Sequence, residues 1–78
     1  MKLLVSKLDR RTKEQELKKI FEEFGDVDAC SVVMDPKTAA SKGFGFIEMP
    51  NSAEANLAIR NINNKTIGNN KIRVKAAQ

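Results

Sequence analysis

Apolar residues recur along this chain with two different periods, and each change of period marks a change of element. Lys2, Leu4 and Ser6 alternate with Leu3 and Val5, which predicts a first strand with Leu3 and Val5 facing a core. From Thr12 the spacing lengthens, and Leu17, Ile20, Phe21 and Phe24 fall on one stripe of a helix. Thr12 and Gln15 fit a capping box at its start, and Gly25 a left-handed stop at its end. Period two returns over Ala29 to Met34, with Cys30 and Val32 inward and Ser31 and Val33 outward. Asp35-Pro36-Lys37-Thr38-Ala39-Ala40-Ser41 has turn chemistry and no period, so it is expected to be an exposed connection. Alternation resumes from Lys42 to Met49. A second helix follows Pro50, capped by Asn51 or Ser52, with Ala55, Ala58, Ile59 and Ile62 buried and Leu57 off the stripe. Asn63-Asn64 ends it, and Thr66 to Asn70 carries a turn at Gly68 and Asn69. In the last strand Ile72 and Val74 face in, and Lys71, Arg73 and Lys75 face out.

The order is βαββαβ. This predicts an α+β, ferredoxin-like sandwich over residues 1–78, a single domain with both helices on one face of a four-stranded antiparallel sheet. In that topology the first and third strands are central neighbours, and the basic last strand lies at the edge beside the first.

Within the third strand, Lys42, Phe44, Phe46 and Glu48 share one side, and Gly43, Gly45, Ile47 and Met49 the other. A face bounded by Lys42 and Glu48 is a solvated one, so Phe44 and Phe46 are expected on the open surface of the sheet. Paired exposed rings beside cations form a platform on which unpaired bases can stack.

Lys42-Gly43-Phe44-Gly45-Phe46-Ile47-Glu48-Met49 resembles the RNP1 signature of the RNA recognition motif family, agreeing at seven of eight positions. Met49 replaces an aromatic at the last position, where its parity is inward. Leu3-Leu4-Val5-Ser6-Lys7-Leu8 is similar to the family's second signature, RNP2, with Leu4 in place of the aromatic that stacks a base and Lys7 in place of an asparagine. The resemblance implies that Phe46 stacks a base, that Phe44 packs against sugars or a second base, and that Lys42 reaches a phosphate. Ser31 and Val33 would border the platform. Lys71, Arg73, Lys75 and the chain near Ala77 would meet backbone or base edges. Lys2 shares the outward parity beside Leu4, where a strand-end solubility charge is the plainer alternative.

Net charge is +4, and its distribution adds to this picture. Lys65, Lys71, Arg73 and Lys75 lie in a final stretch without acids, and Glu14, Glu16, Glu22, Glu23, Asp26 and Asp28 gather in or just after the first helix. A basic front and an acid-rich back would turn the molecule toward a polyanion. With no histidine and a single cysteine, Cys30, the chain has no intrachain disulfide and no His-based metal or catalytic set; Cys30 reads as core. Apolar runs reach only three residues, so no membrane helix or secretory segment is present, and the chain is expected in the cytoplasm. Lys7, Arg10 and Arg11 precede the first helix and could hold an anion there, but no nucleophile or base accompanies them.

The expected function is therefore that of a monomeric, cofactor-free module, not an enzyme, that binds single-stranded RNA or single-stranded DNA. The alternative is a protein-interaction module in which Phe44 and Phe46 meet a partner's apolar side chain. The cations of the last strand favour the polyanion.

Overall fold

Burial separates the two sides of the first strand: Leu3 and Val5 are fully buried, whereas Lys2 is exposed and Leu4 and Ser6 are half-buried. The computed structural model describes residues 1–9, 11–34, 37 and 41–77, apart from the side chains of Met34, Ser41 and Lys42. Among these the elements run β1 (Lys2–Ser6), α1 (Glu14–Glu22), β2 (Ala29–Met34), β3 (Ser41–Glu48), α2 (Ser52–Ile62), β4 (Thr66–Ile67), β5 (Asn70–Lys71) and β6 (Arg73–Ala76). Antiparallel pairing gives one four-stranded sheet in the order β2-β3-β1-β6, with β4 and β5 in a separate hairpin. Leu3, Val5, Val32, Ile47 and Val74 of the sheet join Leu17 and Phe21 of α1 and Ala55, Ala58 and Ile62 of α2 in one core. This is the βαββαβ sandwich. Leu57 stands off the core at 47% exposure. Of the expected 35–41 connection, all but Lys37 and the backbone of Ser41, which begins β3, lies outside the described residues; Lys37 is exposed.

Three local expectations need correction. The N-cap of α1 is Lys13, without a side-chain cap, and Thr12 is instead buried, its amide donating to Asp9 O at 2.9 Å. Packing of Thr12 against the domain has displaced the capping box. The C-cap of α1 is Glu23 in right-handed geometry, so the helix stops before Gly25, whose φ of 158° is positive and favours glycine. Gly25 answers to space, since a Cβ there would collide with the Glu54 side chain. The last strand, expected from Lys71 to Lys75, is interrupted at Ile72. Its amide donates to Lys65 O at 3.0 Å and its carbonyl accepts from Asn64 N at 2.9 Å, so Lys71 pairs with Thr66 in the hairpin, and the sheet resumes at Arg73. Gly68, with φ 64°, makes the two-residue turn between β4 and β5. At the second helix, Asn51 is the cap, its Oδ1 accepting from Glu54 N at 3.0 Å.

Both edges of the sheet are partly closed by side chains. On β2, Val32 N donates to Glu14 Oε2 at 3.0 Å; on β6, Val74 N donates to Asn63 Oδ1 at 3.0 Å. These bonds occupy amides that could otherwise recruit another strand.

The register between β2 and β3 shifts between Val32 and Met34, and the two backbones approach closely at Gly45. A Cβ on Gly45 would run into Ser31 O and lie 3.2 Å from Val32 Cα, so the strands would have to part. Gly45→Ala should cost about 1–3 kcal/mol of stability by this overpacking. Urea denaturation checks it; unchanged stability would show that the strands are not held this close.

Candidate nucleic-acid interface

Because the helices cover one face of the sheet, the register alone decides which side chains meet on the other. Ser31 of β2, Phe46 of β3, Leu4 of β1 and Lys75 of β6 form one row across it. Phe44, Ser6 and Arg73 form the next row on one side, and Ala29, Glu48 and Lys2 the next on the other. Ala77 extends the last of these, its amide donating to Lys2 O at 2.8 Å.

The two rings are half-buried and meet edge to face, with centroids 6.3 Å apart and planes at 88°. Lys2 Nζ stands over the Phe46 ring, 4.6 Å from its centroid. The two residues are diagonal neighbours across β1 and β3, within reach of a long side chain. Beside them opens a groove of about 500 Å³ lined by Lys2, Leu4, Phe46, Lys75, Ala76 and Ala77. Apolar Leu4 and Phe46 together with cationic Lys2 and Lys75 give this lining the chemistry for a flat, anionic ligand.

Among the residues singled out from sequence, Phe44, Phe46, Leu4, Lys2, Ser31, Arg73, Lys75 and Ala77 come together on this face. Val33 is half-buried within the register shift of β2. Lys71 is exposed but belongs to the β4–β5 hairpin, off the ladder of the main sheet. The side chain of Lys42 lies outside the described residues. Two residues on the face escape the sequence reading. Ser6, outward by the same parity as Lys2 and Leu4 but not singled out, faces both Phe44 and Arg73; Ala76 should point inward by parity, yet it is exposed and lines the groove at the end of the edge strand.

Around the rim, Lys7 adopts φ 60°, a left-handed conformation that asparagine tolerates better than lysine. Its carbonyl accepts from Asn70 Nδ2 at 3.2 Å, and Asp9 accepts from Arg11 N at 2.9 Å and Asn69 N at 3.2 Å. These backbone donors, Arg11 first, hold the Asp9 carboxyl below its ordinary range and tie the segment after β1 to the hairpin. The carboxylate therefore competes for the very donors an anion would need near α1; Arg10 lies outside the described residues. Cys30 is half-buried against the core, its thiol pushed up to about 11 by burial and by the neighbouring Glu14 charge. Such a thiol is a weak nucleophile at neutral pH. Among the described residues no group of three or more Cys, Asp or Glu side chains could hold a metal ion.

Comparison with known proteins bears on the family and the fold. A family model described as the RNA recognition motif matches residues 3–73. Polyadenylate-binding protein 5 of Arabidopsis thaliana is 38% identical over 97% of this chain, which spans only 11% of that relative. The crystal structure of RNA binding protein PG1 superposes with a TM-score of 0.94 at 32% identity, covering 99% of this chain and 93% of that one. A Sxl-lethal protein/RNA complex superposes with a TM-score of 0.93 at 27% identity, covering 99% of this chain and 46% of that one.

If Phe46 belongs to the open face and Phe21 to the core, truncation should separate them. Phe21→Ala should cost about 3–5 kcal/mol of stability, and Phe46→Ala about 1–2, the loss of a ring pair and a cation–π contact. Chemical denaturation of both variants checks the face assignment, and a reversed order would refute it.

Proposed function

The chain belongs to the RNA recognition motif family, and on that premise we propose that its open sheet face binds single-stranded RNA as a monomeric, non-catalytic module. The observation that carries this reading is the row Ser31–Phe46–Leu4–Lys75, an aromatic and an apolar side chain flanked by a hydroxyl and a cation on an uncovered sheet. Phe46 stacks a base and Phe44 packs against a sugar or second base, while Lys42, Arg73 and Lys75 meet phosphates. Lys2, Leu4, Ser31, Val33 and Ala77 border the path, and Lys71 touches the strand only where it leaves toward the hairpin. The RNA named in the Sxl-lethal complex and the polyadenylate named in the Arabidopsis relative support the ligand class. Single-stranded DNA would share the stacking but not contacts to the 2′-hydroxyl.

Amide shifts during NMR titration with short random RNA and DNA oligonucleotides test this directly. They should concentrate on β1, β3 and β6. Shifts confined to α1 and α2, or none, would overturn it in favour of a protein partner or another surface.

Phe46→Ala should weaken binding by about 1–3 kcal/mol. For about four neutralised phosphates, log K should fall with log salt at a slope near −3, and neutralising Arg73 with Lys75 should flatten the slope more than neutralising Lys18 with Lys19 on α1. Equal effects would argue against a sheet-borne site. Leu4→Phe, facing solvent opposite Phe46, should raise affinity several-fold by adding a stacking ring while changing stability by less than about 1 kcal/mol. Calorimetry at high and low salt distinguishes this gain, which persists in salt, from one due to charge.

A further inference from the structure

At the Phe44 end of the sheet, two segments far apart in sequence are joined by hydrogen bonds that no strand pairing requires. The Asp9 carboxylate takes one backbone donor on each oxygen, Arg11 N at 2.9 Å on Oδ1 and Asn69 N at 3.2 Å on Oδ2. Asn70 Nδ2 returns a bond to Lys7 O at 3.2 Å. The carboxylate also packs directly on the β4–β5 turn, since a Cβ at Gly68 would lie 2.9 Å from Asp9 Oδ2. On its other side the segment is anchored to the domain: buried Leu8 donates its amide to Gly43 O at 2.8 Å, and buried Thr12 donates its amide to Asp9 O at 2.9 Å. Two exposed lysines sit on this latch. Lys7 follows Ser6, whose row holds Phe44 and Arg73, and its left-handed backbone at φ 60° is a conformation that persists only where the surroundings hold it. Lys71 follows Asn70 and stands two residues before Arg73.

Resting on the reading of the sheet face as an RNA surface, we propose that Asp9 is a positioning residue for RNA: it touches no nucleotide, and with Asn70 it fixes the backbone from which Lys7 and Lys71 project, so that the pair meets phosphates as a preorganised rim at the Phe44 end. Without the latch the hairpin and the segment after β1 would move independently, and each lysine would have to be ordered at the moment of binding, at an entropic cost. The sign of the effect separates this role from plain charge. Asp9 is an anion beside a surface for a polyanion, so through-space electrostatics alone would make its neutralisation strengthen binding. Acting through the latch, its neutralisation weakens binding. Asparagine has the shape of the carboxylate but a single acceptor oxygen, so Asp9→Asn can satisfy one of the two amides and turns its own N–H toward the other.

The test measures binding of short random-sequence RNA oligonucleotides to the whole chain by calorimetry over a range of salt. Asp9→Asn should weaken binding about fivefold at low salt, the low end of coupling between distinct sites. It should also make the slope of log K against log salt shallower by about 1, since each phosphate on a single strand contributes about 0.7. Asn70→Ala cuts the reciprocal bond, leaves the carboxylate in place, and should act in the same direction. In a Lys7→Gln, Lys71→Gln background neither substitution should weaken binding further, because the groups it positions are gone. Amide spectra check that β1, β3 and β6 keep their pairing in each variant; if Asp9→Asn disturbs the sheet, Asn70→Ala in the two backgrounds decides. Unchanged or tighter binding, a loss with the salt slope intact, or a loss that persists in the background lacking both lysines would each overturn the latch while leaving the RNA surface standing. Failure of the unaltered chain to bind any oligonucleotide, with no amide shifts on the sheet, would instead overturn the underlying RNA reading.

Discussion

Two helices packed on a single face of a four-stranded sheet leave the other face to water, and the strict alternation of β3 then has only one solution. Ile47 and Gly45 must go under the helices, and Phe44 and Phe46 must stand outside. Gly45 tightens the constraint. Its missing side chain lets β2 approach β3 at the register shift, which brings Ser31 alongside Phe46. A one-residue slip would bury charge and expose the core together, so the open face and the hydrophobic core are specified by the same register.

That register also governs how far the sheet extends. Glu14 bonds an outer amide of β2, and Asn63 bonds one of β6, each side chain coming from or just beyond a helix that already covers the inner face. The helices thus do two things: they bury the apolar side and help close the edges. What remains accessible is a flat surface with defined rows, in which stacking and ionic contacts can be placed side by side.

Much of this was legible in the sequence because period two and period 3.6 are local properties of the chain. Leu3, Val5, Ile47 and Val74 fell inward, Phe44 and Phe46 outward, and the order of elements led to the topology. The misread features depend on partners distant in sequence. Thr12 has a capping residue's chemistry but is buried by tertiary packing, and Gly25 makes room for Glu54 from another helix. The alternation of Lys71, Arg73 and Lys75 runs unbroken through a point where the backbone changes partners, since Ile72 bonds Lys65 and Asn64 instead of β1. Nothing in local periodicity records such an exchange. The Lys2–Phe46 contact is likewise a diagonal relation between strands, visible only once Leu4 is known to face Phe46.

That diagonal contact bears on how tightly the face can hold a base. A lysine over an exposed ring contributes about 0.5–1 kcal/mol, and a base stacked on an aromatic about 1–3 kcal/mol. A base taking the ring face under the ammonium would have to displace it, so the net gain from stacking on Phe46 would be reduced by that amount. The displaced charge remains beside the groove, where a phosphate or a base carbonyl can receive it. Lys2 therefore shields an apolar ring, and on the proposed reading it would become a donor once a base displaced it. On that reading the same residue would lower the gain from stacking and raise the gain from polar contact.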